Sequence, residues 1–181
     1  MKKTNFTFNL KDITEIGILC GLAIVLDTFV KIPVFAGGGS INLAMLPLIF
    51  IALHKGWFKG FIAGGVIFGL ITCFIDGYGI VTYPFDYLVG FGSVAVVGAF
   101  RNLIICEKLT VKNYIFFGIS ILLCMIVRFA SSCLSGVIIY EYTFIDSAIY
   151  QLTYLGPTIL ALLLILLPSL SIFNSLFARL S

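Results

Sequence analysis

Charged side chains are scarce in this 181-residue sequence, where aspartate, glutamate, lysine and arginine together make up 10% of the residues. A soluble domain carries about 25% charged residues, so this chain has too few to cover a water-facing surface. Hydrophobic residues reach 61%. A membrane-spanning helix needs about 20 apolar residues, which leaves room for about six such helices. The composition excludes a soluble domain and predicts an integral membrane protein.

The motifs of several enzyme classes are also absent. The chain has no G-x-x-x-x-G-K-[ST] phosphate-binding loop and no H-E-x-x-H metal motif. The single histidine, His54, falls in a predicted loop, where we expect an interface residue rather than a catalyst. Ser135 has no base near it in the sequence. We therefore expect no catalytic residue, no cofactor and no metal, and the chain is not predicted to be an enzyme.

Long apolar runs fill most of the chain and predict six transmembrane helices in a single membrane domain, 1–181. The runs cover approximately 13–30, 41–53, 58–75, 86–106, 114–140 and 147–173. β-Barrel strands would alternate apolar and polar residues over about 10 positions, and these runs do not. The predicted fold class is an all-α integral membrane protein, a six-helix bundle that spans a bacterial cell membrane.

Positive charges fall mainly on one side of these predicted helices, and cytoplasmic loops of membrane proteins are enriched in lysine and arginine. That side carries Lys2, Lys3, Lys11, Lys55, Lys59, Arg101, Lys108, Lys112 and Arg179. Only Lys31 and Arg128 fall toward the opposite side. Both termini are therefore predicted to be cytoplasmic.

The predicted outer side is acidic. It carries Asp27, Asp76, Asp86, Glu141 and Asp146, several of them beside aromatic residues. An acidic surface attracts cations, so we expect a cationic or amine-bearing ligand on this side. The alternative is that membrane topology merely excludes lysine and arginine from it.

The segment YPFDYLVGFG, residues 83–92, places an acid among aromatic rings at the start of the fourth predicted helix. Charges near a membrane interior are costly and usually functional. One interpretation of Asp86 is a carboxylate that pairs with an aminopyrimidine or a ring nitrogen while aromatic rings stack on the ligand. The other is an acid that caps the helix and is stabilised by its dipole.

Arg128 lies inside the fifth predicted helix and needs an anionic partner or a group of carbonyls. We expect a structural ion pair with Asp27 or Asp86, and ligand contact is the alternative. Asp27 and Lys31 are four residues apart on one helix face and are also candidates to pair with each other.

Three consecutive glycines, Gly37, Gly38 and Gly39, lie between the first two predicted helices. Glycine permits unusual backbone angles and motion. The segment is therefore either a plain turn or a mobile lid over an outward pocket.

Small residues recur at the spacing that lets membrane helices approach closely. Gly17 and Gly21 are four apart on the first predicted helix. The third predicted helix is lined by Gly60, Gly64, Gly65 and Gly69. These faces pack either within the bundle or against a partner subunit.

Three segments resemble a known family of membrane transport proteins. They are GGGSINLAMLPLIFIALHKGWFKGFIAG at 37–64, YPFDYLVGFG at 83–92 and RFASSCLSG at 128–136. With six predicted helices, both ends inside and no ATPase motif, the chain resembles the substrate-binding (S) component of an energy-coupling-factor (ECF) vitamin transporter. The closest group is the thiamine-type S component.

This resemblance implies a high-affinity subunit that captures a vitamin from outside the cell. Its implied partners are a transmembrane coupling protein and two cytosolic ATPases, whose ATP hydrolysis reorients the S component in the lipid and releases the ligand inside. No nucleic acid is involved. The family contacts the coupling protein through small residues spaced by four on the first helix, which Gly17 and Gly21 match, with Ala23 nearby.

The resemblance also implies ligand-binding positions, and this chain departs from the family at several of them. The family's acid and aromatic at the start of helix four correspond to Asp86 and Tyr87. Ser132 stands where the family has histidine, Tyr140 where it often has tryptophan and Leu155 where it has asparagine. The expected ligand-binding residues are Asp86, Tyr87, Ser132, Gly136, Tyr140, Tyr150, Tyr83 and Phe35.

These departures decide the expected ligand, because a site that cannot pair a ligand's polar groups discriminates strongly against it. We expect a small aromatic B vitamin. A vitamin B6 form such as pyridoxine is slightly favoured, since its hydroxymethyl groups suit hydroxyl partners. Thiamine or its hydroxymethylpyrimidine half is the alternative.

Two functions of other classes are weighed against this one. A membrane enzyme or intramembrane protease needs paired carboxylates or a Ser–His pair within its helices, and no histidine is available there. A stand-alone secondary transporter often shows inverted repeats and broken helices near the membrane midplane, and we find no repeat in the chain.

Overall fold

A computed structural model describes residues 7–35, 38–106 and 108–180 as a bundle of helices with one short β-hairpin. Helix α1, Leu10–Phe29, is followed by strands β1, Ile32–Phe35, and β2, Gly38–Ile41. The later helices are α2, Met45–Lys55, α3, Trp57–Asp76, α4, Ile80–Ala99, α5, Arg101–Ile104, α6, Val111–Ile138, and α7, Phe144–Leu180. The helical bundle agrees with the sequence-based expectation, whereas the hairpin was not expected.

Four of these helices are long and apolar enough to cross a membrane, judged by length and composition within the described part of the chain. They are Trp57–Asp76, Ile80–Ala99, Val111–Ile138 and Phe144–Arg179. Helix α1 has 20 residues but carries more charge, and α2 has 11 residues. The fourth predicted helix, 86–106, begins earlier in the structure, at Ile80. The count of six transmembrane helices stays a prediction.

Local chemistry sets where the first helices begin and end. The Asn9 side chain accepts a hydrogen bond from the Asp12 backbone N–H at 2.8 Å, and the Asp12 carboxylate accepts one from the Asn9 N–H at 3.3 Å. This reciprocal pair satisfies two N–H groups at the start of α1. Between α2 and α3, Gly56 has φ +94°, which glycine adopts without steric cost and which separates the two helices.

The glycine-rich segment after α1 forms an antiparallel hairpin rather than an irregular loop. Ile32 pairs with Ile41 and Pro33 pairs with Ser40. Gly39 has φ +74°, in the left-handed region that favours glycine. Gly37 lies outside the described residues. The hairpin extends to Ile41, so the second helix begins at Met45 instead of near 41 as predicted.

Helices α3 and α4 approach each other closely through glycines. A Cβ atom on Gly64 would lie 2.5 Å from the Phe91 carbonyl oxygen, and one on Gly65 would lie 2.6 Å from that of Leu88. Both helices are π-helical where they meet, at Ile62–Phe68 and Tyr83–Val89. The small residues of the third helix therefore pack inside the bundle rather than against a partner subunit.

Helix α2 forms much of the core. Leu48, Ile49 and Leu53 are fully buried, and Ile51 is almost so. It contacts α1 and α3 on its flanks. A Cβ on Gly60 of α3 would lie 2.7 Å from the Ala52 Cβ, so this pair of helices is also held at close range by small residues.

A buried ion cluster joins the start of α1 to the α2–α3 turn. The Lys59 ammonium lies 2.7 Å from Asp12 Oδ2, and the Lys55 ammonium lies 2.9 Å from Asp12 Oδ1 and 2.6 Å from Glu15 Oε2. Asp12 and Lys59 are only 6% and 5% exposed. Removing either charge would leave the other buried and unpaired, which is strongly destabilising. The cluster gathers lysines that the sequence assigned to one membrane side.

His54 lies in the last turn of α2, which corrects its predicted position in a loop. Its ring stacks on Phe177 of α7 with centroids 4.7 Å apart, and its Nε2 lies 3.5 Å from Glu15 Oε2. The residue is packed within the bundle, because the preceding α2 residues are apolar and continue the helix to Lys55.

One face of α1 has no neighbour in the described structure. Gly17 and Gly21 are exposed, and no heavy atom lies within 4 Å of where their Cβ atoms would stand. Ile18 and Leu22 beside them are 67% and 48% exposed. Ala23 is fully buried and faces the bundle instead.

We expect Gly98→Ala to lower stability by about 1–3 kcal/mol, the range for overpacking in a tight interior. A Cβ there would lie 2.6 Å from both Cα and N of Trp57, and a backbone cannot move aside cheaply. Gly118→Ala is the matched control, since its Cβ would lie 3.7 Å from Leu167 Cδ2. Thermal unfolding of both variants in detergent measures the difference. Equal unfolding midpoints for the two variants would contradict the close packing of Gly98, on α4, against the turn between α2 and α3.

Candidate ligand-binding cavity

A cavity of about 380 Å³ lies beneath the hairpin, between the ends of α1 and α3 and the sides of α4, α6 and α7. Small-molecule sites usually enclose about 300–1,000 Å³. The lining residues are Asp27, Lys31, Pro33, Gly39, Ser40, Asn42, Asp76, Tyr78, Asp86, Tyr87, Phe91, Arg128, Ser132, Ser135, Gly136, Tyr140, Tyr142, Ser147, Tyr150, Gln151 and Tyr154.

Asp86 lies on the cavity wall, in the π-helical part of α4. Its Oδ2 accepts a hydrogen bond from the Ser135 hydroxyl of α6, and Ser132 also lies beside it. Nearby, the Ser131 hydroxyl donates to the Phe85 carbonyl at 2.6 Å and holds α6 against α4. Within the described residues the carboxylate makes no hydrogen bond to a backbone N–H of its own helix, although it lies in the first turn of the π-helical segment Tyr83–Val89.

Asp76, at the end of α3, joins the hairpin to α4. Its Oδ2 accepts a hydrogen bond from the Tyr87 hydroxyl at 3.0 Å, and its Oδ1 lies 3.5 Å from the Lys31 ammonium. Lys31 directly precedes β1. This chain of contacts connects the hairpin to the cavity wall.

The predicted pairing of Asp27 with Lys31 is wrong. Helix α1 ends at Phe29, so Lys31 leaves the helical face on which residues four apart would meet. Asp27 is 5% exposed and accepts a hydrogen bond from Asn42 Nδ2 at 2.8 Å. Asn42 follows the hairpin, so this bond ties the two ends of the hairpin segment together.

The predicted ion pair of Arg128 with Asp27 or Asp86 is also not formed. No carboxylate of the described residues lies within 4.0 Å of its guanidinium. The Arg128 Cζ lies 4.0 Å from the centroid of the Phe91 ring, a cation–π contact. The acids are occupied elsewhere, Asp27 by Asn42 and Asp86 by Ser135.

Helix α7 supplies an aromatic and amide wall. Tyr150 and Tyr154 meet edge to face with centroids 5.7 Å apart. The Tyr154 hydroxyl donates to Gln151 Oε1, and Gln151 Nε2 donates to the Ser132 carbonyl at 3.2 Å. Leu155, which stands in the family's asparagine position, is 1% exposed and packs in the core. An amide is therefore present, supplied by Gln151.

Two glycines allow close packing around the cavity. A Cβ on Gly136 would collide with the Ser147 hydroxyl, so this glycine lets α6 and α7 meet beside the site. A Cβ on Gly39 would lie 2.8 Å from Tyr154 Cδ1 and 3.1 Å from the Tyr150 hydroxyl. The hairpin therefore rests directly on the tyrosines of α7.

Most of the ligand-binding residues predicted from sequence line this one cavity. They are Asp86, Tyr87, Ser132, Gly136, Tyr140 and Tyr150. Tyr83 instead donates its hydroxyl to the Gly65 carbonyl at 3.1 Å and braces α4 against α3. The side chain of Phe35 lies outside the described residues. Of the predicted lid glycines, Gly39 lines the cavity and Gly38 forms part of β2.

Several lining residues were not predicted, among them Gln151, Tyr154 and Asn42. Ser147, Tyr150, Gln151 and Tyr154 recur at intervals of three and four, which puts them on one helical face. This periodicity in the polar residues was the signal that could have found Gln151 and Tyr154. Asn42 gave no comparable signal, because its role depends on the hairpin.

The lining favours a cationic aromatic ligand. Three carboxylates, Asp27, Asp76 and Asp86, face two basic groups, Lys31 and Arg128. Tyrosines supply flat apolar faces and hydroxyls. Within the described residues, no three His, Cys, Asp or Glu side chains are grouped as a metal ion would require.

Comparison with known proteins places this cavity in a family context. A family model described as thiamine transporter protein (Thia_YuaJ) matches residues 13–180. The chain belongs to the thiamine transporter family. It is 24% identical over 170 residues to the thiamine transporter ThiT of Bacillus subtilis strain 168, an alignment that covers 84% of this chain and 86% of that protein.

A solved structure of ThiT from Listeria monocytogenes has the same fold. It superposes with a TM-score of 0.75 at 21% identity and covers 93% of this chain and 97% of that one. The family model, the relative and this shared fold together confirm the resemblance to thiamine-type S components. Because the matched relatives are transporters, the prediction that the chain is not an enzyme is also confirmed.

The slight preference for a vitamin B6 form finds no support in these comparisons, which favour the thiamine alternative. That preference rested on the loss of polar partners at Ser132 and Leu155. The structure supplies an amide from Gln151 on the same wall, so the pocket has more polar groups than the family resemblance suggested.

We expect Asp86→Asn to weaken ligand binding at least tenfold, because it removes a carboxylate from the cavity while keeping the side chain's size. Hydrogen bonds to charged groups contribute about 1.5–3 kcal/mol. Isothermal titration of purified protein in detergent measures the change.

The matched control is Asp146→Asn. Asp146 is exposed and bonds to the Thr143 hydroxyl at 2.6 Å, away from the cavity lining. Unchanged affinity in Asp86→Asn, with normal folding, would remove Asp86 from the ligand site.

Proposed function

We propose that this chain is the thiamine-binding S component of an ATP-driven ECF importer, with six transmembrane helices and both termini in the cytoplasm. The observation that carries the proposal is an acidic, tyrosine-lined cavity in a chain of the thiamine transporter family. The cavity collects ligand from outside the cell, and partner proteins supply the energy for release inside.

The chemistry of thiamine suits the lining. Thiamine joins a cationic thiazolium ring to an aminopyrimidine, so it carries both a positive charge and a hydrogen-bond donor. In this proposal Asp86 accepts a hydrogen bond from the pyrimidine amino group, and the excess of carboxylates over basic groups favours the thiazolium charge. Tyr140 and Tyr150 provide aromatic surface for the rings.

The hairpin serves as the cover of the site. Its contact with Tyr150 and Tyr154 closes one side, and the Lys31–Asp76 pair holds its first strand. An ion pair with side chains 34% and 21% exposed is weak enough to open. Entry and exit of ligand then require the hairpin to move as a unit.

The exposed face of α1 is the proposed contact with the coupling protein. Gly17 and Gly21 leave a shallow, apolar surface flanked by Ile18 and Leu22. A partner helix can approach such a surface closely. The chain carries no phosphate-binding loop, so ATP hydrolysis must come from ATPase partners.

The first experiment is mass spectrometry of the small molecules that denaturation releases from the purified protein. We expect thiamine, because the proposed site encloses its ligand and retains it through purification. Titration of ligand-free protein with thiamine and with pyridoxine then compares the two affinities. Release of a vitamin B6 form together with tighter binding of pyridoxine would overturn thiamine as the substrate.

We expect Gly17→Leu and Gly21→Leu to prevent assembly with the coupling protein and its ATPases while ligand binding stays unchanged. Each adds bulk to the face where the partner would approach. Gly156→Leu is the matched control, because a Cβ there also has no heavy atom within 4 Å but lies on α7.

Co-purification from membranes that contain all subunits measures assembly. Normal complexes with both α1 variants would show that this face is not the interface. Uptake by vesicles that contain this chain alone would instead indicate a stand-alone carrier.

A further inference from the structure

The turn between α6 and α7, residues 139–143, carries two stacked tyrosines at the rim of the cavity. The ring centroids of Tyr140 and Tyr142 are 6.1 Å apart, and the interplanar angle is 14°. Both residues line the cavity, yet they are 43% and 52% exposed. The pair is therefore accessible from outside the protein and from the cavity.

This turn is fixed at both ends. The Tyr142 N–H donates a hydrogen bond to the Gly136 carbonyl at 3.1 Å and closes the end of α6. At the start of α7, the Thr143 hydroxyl donates to Asp146 Oδ2 at 2.6 Å and accepts from the Asp146 N–H at 3.2 Å. Glu141, between the two tyrosines, has φ +56°. A residue other than glycine keeps such a strained backbone only where its surroundings determine it, and this strain is concentrated at functional sites.

Tyrosines continue from the rim into the cavity with increasing burial. Tyr142, Tyr78 and Tyr140 are 52%, 47% and 43% exposed, and Tyr87 is 5% exposed. Tyr150 is half-buried, between these extremes. All five residues line the same cavity. A flat ligand that enters at the rim would therefore meet aromatic side chains along its whole way inward.

The charges around the turn favour a cationic ligand. Glu141 and Asp146 are exposed acids, one on the turn and one in the first turn of α7. No lysine or arginine occurs in residues 129–178. Lys31 also lines the cavity, but its ammonium is paired with Asp76 at 3.5 Å. The faces of aromatic rings attract cations as well, so rings and acids at the rim select the same kind of ligand.

An interfacial anchor is the alternative role for exposed aromatic residues at the end of a membrane helix. That role requires neither stacking of the two rings nor a position in the cavity lining. Phe144, two residues after Tyr142, is 63% exposed and lies outside the lining. It has the position expected of an anchor, whereas Tyr140 and Tyr142 do not.

We propose that Tyr142, stacked on Tyr140, forms an entry site that holds a flat aromatic cation transiently before the ligand moves into the enclosed part of the cavity. This inference rests on the proposed function, in which the ligand is thiamine with its cationic thiazolium ring. The entry site sets how fast the ligand enters and leaves. It does not set the affinity, because the enclosed ligand no longer contacts the exposed ring of Tyr142.

An entry site has a kinetic signature that a contact in the final complex lacks. The ligand still contacts Tyr142 while it crosses the rim, so loss of the ring raises the barrier equally in both directions. Association and dissociation then slow by the same factor, and Kd, which is the ratio of the two rate constants, does not change. Loss of a contact in the final complex speeds dissociation and raises Kd.

The test measures both rates and Kd for thiamine on the full chain in lipid nanodiscs. Rapid filtration after mixing with radiolabelled thiamine gives the association rate. Loss of bound label after addition of excess unlabelled thiamine gives the dissociation rate, and isothermal titration gives Kd. The variants are Tyr142→Ser, which removes the ring, and Tyr142→Phe, which keeps it. Phe144→Ser is the matched control, because it removes an exposed ring from the same rim but outside the cavity lining.

We expect Tyr142→Ser to slow association and dissociation of thiamine by the same factor, about two- to fivefold, the scale of a cation–π contact at an exposed site. Kd should stay equal to that of the native chain within error. Tyr142→Phe should keep the native rates, because the ring face rather than the hydroxyl makes the contact. Phe144→Ser should also keep them, and thermal unfolding of each variant monitors the fold.

Three results would overturn the inference while the native chain still binds thiamine. Native rates in Tyr142→Ser would show that the ligand does not contact this ring on entry. Faster dissociation with a raised Kd would make Tyr142 part of the final complex. Equal slowing by Phe144→Ser would show that both rings act by anchoring the rim in lipid. Failure of the native chain to bind thiamine would overturn the proposed function and this inference together.

Discussion

A charge inside a membrane protein must find its partner within the protein, because hydrocarbon offers none. The few charges of this chain follow that constraint. Near the start of α1, Asp12 binds two lysines and closes the α2–α3 turn onto the first helix. Asp27, fifteen residues later and about 22 Å along the helix, faces the cavity instead. The fold thus keeps two groups of charges apart. The charges around Asp12 neutralise one another, whereas those around the cavity leave Arg128 incompletely paired.

The cavity depends on close helix contacts as much as on its polar lining. Glycines of α3 bring its backbone against the α4 carbonyls, which fixes the π-helical stretch that carries Asp86 and Tyr87. Gly136 does the same for α6 and α7 beside Ser147. A side chain at these positions would separate the walls, so the geometry of the site depends on glycines that let the helices approach closely.

The family relation explains the scaffold more fully than the pocket. The chain is 24% identical to a thiamine transporter and shares the fold of a solved ThiT structure with a TM-score of 0.75. Ser132 and Leu155 suggested a pocket poor in polar groups, yet Gln151 contributes an amide one helical turn from Leu155. Functional groups can move to a neighbouring position of the same helix because side chains four apart project toward one side.

Composition and periodicity determined the membrane class, most helix positions and the acidic character of one site, because hydrophobic runs and rare charges are properties of the chain itself. The family resemblance, rather than composition, assigned Asp86, Tyr87 and Ser132 to one site. Which charges pair was decided only by tertiary structure. Lys31 leaves the α1 face when the helix ends at Phe29 and meets Asp76 from a distant segment. The hairpin and the place of Gln151 likewise depend on packing between helices, which sequence spacing does not encode.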